Sequence, residues 1–204
     1  IDLLFSACDK ALYAAKLHGR NRVVQYEDID QVMSKPAIIQ FESREATEKM
    51  LQREIGVLGH LRVARTGVAE AVSAMLVFAA DLPEIETKYG KALVHQVIAG
   101  VVNIINASIR DSDKLGRWSE ETFLVVLPAT DVNAAVRVAE RIRHHIKDLD
   151  ILPDGQPLSV NCSIAAIRPN EDYKAFSQRL EDALTKARQA GKNLLHVEDV
   201  SSPK

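Results

Sequence analysis

The stretch LEDALTKARQAGKNLLHV, residues 180–197, combines a helix and a strand in one short segment. Its alanines and leucines recur at helical spacing, and Gly191 then follows as a residue that commonly ends a helix. The apolar residues after the glycine predict a strand at 194–197. The segment is therefore a helix that turns directly into a strand, which is typical of the closing part of an α/β unit.

The same pattern occurs near the start of the chain. Residues 3–25 read LLFSACDKALYAAKLHGRNRVVQ, and in one ungapped register Gly19-Arg20-Asn21 matches Gly191-Lys192-Asn193. A common helix–glycine–strand unit met twice by chance would not keep this register, so the echo indicates an internal repeat. No strands precede the first copy. We therefore expect residues 1–26 to be the tail of a preceding domain, in a chain that is a piece of a longer protein.

Composition excludes several classes of protein. With 47% hydrophobic and 26% charged residues, the chain resembles an ordinary globular protein, and its net charge of -2 gives no general attraction to nucleic acid or anionic membranes. No apolar run reaches the roughly 18 residues of a membrane span. Cys8 and Cys162 show no framework spacing, which predicts two reduced, buried thiols in a cytoplasmic protein.

Residues 27–68 are predicted to connect the two units. The first part is polar, and the charged stretch 43–66 carries Leu51, Ile55 and Leu58 at four- and three-residue steps. This spacing predicts a helix with one apolar seam. The seam fits either a short coiled coil in a homodimer or a helix docked on the chain's own domain, and the pattern does not separate these alternatives.

Residues 69–204 have the element pattern of one complete domain. The alternation of elements predicts an α/β (α+β) fold with a mostly antiparallel central sheet flanked by helices. The predicted elements are a strand at 74–79, a helix at 90–109, strands at 113–118 and 122–127, a helix at 131–145 capped by Asp131, a strand at 158–166, a helix at 173–190 and a strand at 194–197.

A short turn between two predicted strands carries the sequence Arg-Trp-Ser-Glu-Glu-Thr-Phe, residues 117–123. With the two closing patterns, this frame resembles the GGDEF family, the diguanylate cyclases and their inactive relatives, whose motif would read Arg-Tyr-Gly-Gly-Asp-Glu-Phe. The resemblance implies a palm-like fold related to nucleotide cyclases and polymerases. Supporting matches are Tyr89-Gly90, Arg110-x-x-Asp113, Leu127-Pro128 and Ala139-Glu140-Arg141-Ile142-Arg143.

The family joins two GTP molecules into cyclic di-GMP, and this chemistry needs carboxylates that hold a divalent metal. The resemblance places the two metal-binding acids of the first strand at Phe78 and Ala80, which cannot bind metal. Asp81 is adjacent, but a step of one residue along a strand turns a side chain to the other face. The family's lysine falls on Pro83. Its two guanine-reading residues fall on Glu86 and His95.

The motif itself is degenerate. Ser119 and Glu120 replace the glycines that would let the backbone approach phosphate, and Thr122 replaces the final acid, while Glu121 and Phe123 keep the character of the motif. A lone exposed glutamate holds Mg²⁺ poorly. We therefore expect no catalytic residue, no metal and no cofactor in this domain. The two glutamates also fit a plain solvated turn.

A ligand site remains as a hypothesis. Arg110 and Asp113 are followed by five residues and then Ser119, which is the spacing of the family's product-binding inhibitory site. An arginine fork suits phosphate and a guanine edge, and a carboxylate can accept from guanine. Arg141 is the best match for the second arginine, with Arg143 next. The alternative is an Arg–Asp salt bridge at a helix-to-strand turn.

Three functions follow from the resemblance as hypotheses. The first is a catalytically inactive GGDEF domain that serves as a regulatory or receptor module in bacterial cyclic di-GMP signalling. The second is a purely structural or dimerisation module. The third is one part of an active diguanylate cyclase whose working domain lies upstream. The partners expected are cyclic di-GMP and an adjacent GGDEF or other signalling domain.

Overall fold

The computed structural model describes residues 43–65, 71–168 and 171–198, with the side chains of 57–65 outside the description. The predicted tail at 1–26, the connector up to residue 42 and Cys8 lie outside the described residues. Cys162 is a free, fully buried thiol on a central strand, and burial raises its pKa to about 12. The predicted burial is confirmed for this thiol.

One five-stranded sheet organises the domain. Its strands are β1 (Ser73–Ala79), β2 (Lys114–Arg117), β3 (Thr122–Leu127), β4 (Val160–Ala166) and β5 (Leu195–Val197). The spatial order is β2-β3-β1-β4-β5; β4 and β5 pair parallel and every other neighbouring pair is antiparallel. The predicted mostly antiparallel sheet flanked by helices is confirmed.

Every residue of β1, β3 and β4 is buried, because helices cover both faces of the sheet. The helices are α1 (Arg44–Arg65), α2 (Leu82–Tyr89), α3 (Lys91–Ser108), α4 (Val132–Lys147) and α5 (Tyr173–Ala190). Alternate residues of the strands divide the core in two. Met75 and Val77 face α2, α3 and α4, whereas Leu76 and Phe78 face α1 and α5.

Helix α2 is not among the predicted elements. This helix has only eight residues, and Pro83 stands in its first turn, where proline is tolerated because the N–H would be unpaired anyway. The other predicted helices are present at close to their predicted bounds. Asp131 accepts a hydrogen bond from the N–H of Ala134 at 2.7 Å, so the predicted helix cap is confirmed.

Helix α1 packs against the sheet through its first turns. Leu51 is fully buried in the same cluster as Phe176 and Leu180 of α5, and Met50 and Ile55 pack against it in part. Of the two alternatives left open by the apolar seam, the structure has the docked one for residues 44–56. Within the described ranges, no helix is long and apolar enough to cross a bilayer.

Candidate functional site

An open cleft of about 570 Å³ lies between helices α2 and α3 and the turn that joins β2 to β3. It brings together five positions that the resemblance assigns to GTP recognition; Glu121 keeps an acid, and the other four differ from the residues that the resemblance expects. The five positions are Pro83, Glu86, His95, Glu120 and Glu121. Val94, Ile98 and Ala99 of α3 supply much of the apolar wall, and Lys91 and Arg117 complete the lining with positive charge.

The turn that joins β2 to β3 is closed by its own residues. The N–H groups of Trp118 and Ser119 both donate to the carbonyl of Thr122, at 2.9 and 3.1 Å. Arg117 folds back over the turn, where its Nε donates to the carbonyl of Ser119 at 3.1 Å and its Nη2 to that of Glu120 at 2.8 Å. The carbonyls of the turn are thereby engaged by a side chain of the same hairpin.

The end of β1 carries no acid where the resemblance places the metal site. Phe78 is 7% exposed, and the guanidinium of Arg188 lies over its ring, with Cζ 4.1 Å from the ring centroid. Ala80 follows the strand and donates its N–H to the carbonyl of Ser159 at 3.2 Å. An aromatic ring and a methyl group do not fit Mg²⁺, which requires oxygen ligands. Among the described residues, no group of His, Cys, Asp or Glu side chains is arranged to hold a metal ion.

Asp81 is the remaining acid next to this strand end, and both of its carboxylate oxygens accept hydrogen bonds from other side chains or the main chain of the domain. Its Oδ2 accepts hydrogen bonds from the N–H and hydroxyl of Ser159 at 2.8 and 2.6 Å, and its Oδ1 from Lys192 Nζ at 2.8 Å. Burial raises the pKa of Asp81, but the hydrogen bonds from Lys192 and Ser159 outweigh burial and hold the pKa below its usual value. The carboxylate therefore joins the start of α2 to the loop before β4 and to the turn after α5.

Replacing Asp81 by Asn is expected to lower the free energy of unfolding at neutral pH by about 1–3 kcal/mol, because hydrogen bonds to a charged group are lost. A lowered pKa in the folded state means that the ionised group stabilises the protein above its unfolded pKa, and that this contribution disappears as the pH falls through the folded value. Denaturant unfolding at neutral and at acidic pH measures the difference. A gap between wild type and variant that does not shrink in acid would contradict this assignment.

Two cations at this site, Arg188 and Lys192, are absent from the sequence prediction. Both belong to the closing segment, on either side of Gly191, whose φ of 138° marks the turn out of α5. Their basic character is visible in the sequence. Their position next to Phe78 and Asp81 is not, because it depends on the packing of α5 against β1.

The predicted ligand residues Arg110 and Asp113 line a second pocket, of about 250 Å³, between α3, β2 and α1. Asp113 is buried, and its Oδ2 accepts the main-chain N–H of Arg110 at 2.8 Å while Ser112 Oγ donates to its Oδ1 at 3.3 Å. The carboxylate thus shapes the turn through the main chain of Arg110, rather than through a salt bridge to its guanidinium, which was the alternative to a ligand site. Met50, Asn106, Ile109, Asp111, Lys114 and Leu115 complete the pocket.

The structure separates the two candidates for the second arginine. Arg141 donates from its Nη2 to the carbonyl of Ser108, two residues before Arg110, so it lies beside the predicted site without lining the pocket. Arg143 instead binds the carbonyl of Asn193 and the carboxylate of Glu140. Of these two arginines of α4, Arg141 is therefore the one that reaches the end of α3, just before Arg110.

Comparisons with known proteins agree with this fold. The sequence profile described as "Diguanylate cyclase, GGDEF domain" matches residues 42–194, a range that includes helix α1. Diguanylate cyclase A of Treponema denticola is 31% identical over 138 residues, which make up 66% of this chain and 37% of that protein. The chain thus spans well under half the length of the curated relatives that it matches.

Solved structures share the same architecture. The active GGEEF domain of a diguanylate cyclase from Vibrio cholerae superposes with a TM-score of 0.71 at 20% identity, over 79% of this chain and 100% of that one. The GGDEF domain of DgcB from Caulobacter crescentus, in complex with c-di-GMP, gives 0.68 at 17% identity, over 79% and 90% of the two chains. With the profile match over most of its length, the chain belongs to the GGDEF family.

Proposed function

We propose that this GGDEF domain has lost cyclase activity and acts as a regulatory or receptor module in bacterial cyclic di-GMP signalling, in the cytoplasm. One observation carries the loss of activity: Phe78 and Ala80 occupy the end of β1, and Arg188 covers the phenyl ring. A carboxylate at this strand end is what the family's metal would require. The acid that remains nearby, Asp81, is engaged by Ser159 and Lys192.

The charge of the cleft supports the same proposal. The cleft is lined by Glu86, Glu120 and Glu121, so a nucleoside triphosphate there would meet three carboxylates. The positive charge of Arg117 is directed at the carbonyls of the turn. Lys91, the other cation of the lining, lies 3.8 Å from Glu86 and offsets the three carboxylates only in part, so they oppose GTP binding.

The receptor part of the proposal rests on Arg110, Asp113 and Arg141. Two guanidinium groups near one turn suit a phosphodiester and a guanine edge, which are both present in cyclic di-GMP. Asp113 uses its two oxygens for the main-chain N–H of Arg110 and the hydroxyl of Ser112, but each carboxylate oxygen can accept more than one hydrogen bond. A pocket of about 250 Å³ lies beside these side chains, and Arg110 and Asp113 both line it.

Calorimetric titration with cyclic di-GMP tests the receptor role. We expect the Arg110→Ala variant to bind about 10- to 100-fold more weakly than the wild type, because charge-assisted hydrogen bonds to phosphate or guanine are lost. Lys174→Ala is the matched control, since it removes an exposed positive charge on α5 that does not line the pocket. An absence of heat with the wild type would overturn the receptor role and leave the structural or dimerisation role.

A turnover assay with GTP and Mg²⁺ tests the loss of activity separately. The chain should yield no cyclic di-GMP, whereas a full-length protein with a working upstream domain would yield it. Product formed by this chain alone would refute the proposed inactivity. Product formed only by the longer protein would favour the third hypothesis, in which this domain accompanies an active partner.

A further inference from the structure

Helix α1 is seated on β2 by one unusually close contact. Thr47 is fully buried, and a Cβ atom added to Gly116 would lie 2.5 Å from both Oγ1 and Cγ2 of this threonine. Any side chain at position 116 would therefore force Thr47, or the helix that carries it, to shift. The absence of a side chain on Gly116 lets α1 lie this close to β2.

The same contact is imperfect in its polar chemistry. The hydroxyl of Thr47 is buried and has no hydrogen-bond partner among the described residues. A buried hydroxyl without a partner costs free energy that the same group regains from water when it is exposed. Only the docked state has this cost in free energy, so the unpaired hydroxyl shifts the equilibrium between the docked and the released helix toward release.

The start of α1 is held by exposed charges around Trp118. The guanidinium of Arg44 lies 4.8 Å from the ring centroid of Trp118 and 3.6 Å from Oε1 of Glu181, and the indole Nε1 donates to the same Glu181 oxygen at 2.8 Å. Arg44 is 55% exposed, so water screens its interactions. Trp118 itself is buried and directly precedes the degenerate turn.

We propose that α1 is a releasable clamp with a docked and a released state. In the docked state Arg44 covers Trp118, and Met50, less than two turns later, forms a wall of the pocket that contains Arg110. Release exposes Trp118 beside the turn and removes that wall. The chain before residue 43 can therefore act on both places through this one helix. The clamp does not depend on whether a ligand binds at Arg110.

Two substitutions at the same contact should move the clamp in opposite directions. Gly116→Ala should release α1, which raises acrylamide quenching of Trp118 several-fold and shifts its emission to the red. Thr47→Val replaces the unpaired hydroxyl by a methyl group of similar shape, so it should slow amide exchange in α1 about tenfold. Trp118 is the only tryptophan of the sequence, which makes its fluorescence specific for this site.

Matched controls separate release from general destabilisation. Thr87→Val changes an exposed helical threonine whose hydroxyl is bonded to the carbonyl of Pro83, and Gly56→Ala adds a methyl group where there is open space. Neither should increase quenching of Trp118. In Gly116→Ala, the added change Thr47→Ala should restore part of the protection by making room. Unchanged quenching in Gly116→Ala, or unchanged exchange of α1 in Thr47→Val, would overturn the proposal even if the other variant failed to fold.

Discussion

Replacement of Glu171 by Gln is expected to lower the free energy of unfolding by about 3–5 kcal/mol, because it leaves the guanidinium of Arg179 buried without its counter-charge. The two side chains are 8% and 10% exposed, and they meet through hydrogen bonds of 2.9 and 2.6 Å. Arg179 also donates to the carbonyl of Ala166 at 2.8 Å, so the pair fastens the start of α5 to the end of β4. Denaturant unfolding followed by circular dichroism measures the loss.

Glu45→Gln is the matched control for this prediction. Glu45 pairs with Lys49 on the surface of α1, with the two side chains 76% and 71% exposed, so its loss should cost less than about 1 kcal/mol. Replacing both buried partners by apolar residues of similar size should recover most of the stability lost in Glu171→Gln, since no charge is then left unpaired. A loss below that of the surface control would show that water screens the buried pair.

Phe78→Ala is expected to cost about 3 kcal/mol of stability, because a buried phenyl ring leaves a cavity when it is removed. The ring belongs to the apolar cluster between the sheet, α1 and α5, and it also loses its contact with the Arg188 guanidinium. A position that served only to bind metal would contribute little to stability. The loss of stability in Phe78→Ala therefore shows whether the end of β1 has become part of the core.

Phe78→Leu is the conservative control and should cost about 1 kcal/mol, since most of the buried apolar volume stays in place. Phe78→Asp returns the acid of the family to this position. It should still yield no product from GTP, because Ala80 remains in place of the second acid. A small effect of Phe78→Ala, close to that of a surface substitution, would show that the ring is not a structural replacement.

Most of the fold could be predicted because its signals are local. The central strands are continuous apolar runs, as strands covered on both faces must be, and the closing helix ends at a glycine. Helix α2 could not be predicted in the same way. It has two buried residues, Leu82 and Ile85, which is too few for a periodic pattern to stand out from a loop.

Part of the candidate site could likewise be predicted from the sequence, and part could not. The residues at Glu86, His95 and Glu120 could be assigned from the resemblance, and the fold brings them to one cleft. The partners of Asp81 could not be assigned, since Ser159 and Lys192 are 78 and 111 residues away in the chain. No periodicity or spacing carries information about a contact over that distance.

The amino-acid sequence by itself determined all the described elements except α2, and it determined which side chains stand at the end of β1, because secondary structure follows largely from local spacing and residue identity is given directly. Only the tertiary structure decided what those side chains touch: Arg188 over Phe78, Lys192 on Asp81, and Thr47 against Gly116. An apolar seam such as that of α1 predicts that one face of the helix will pack against another surface. What covers it depends on the surface that the rest of the folded chain presents.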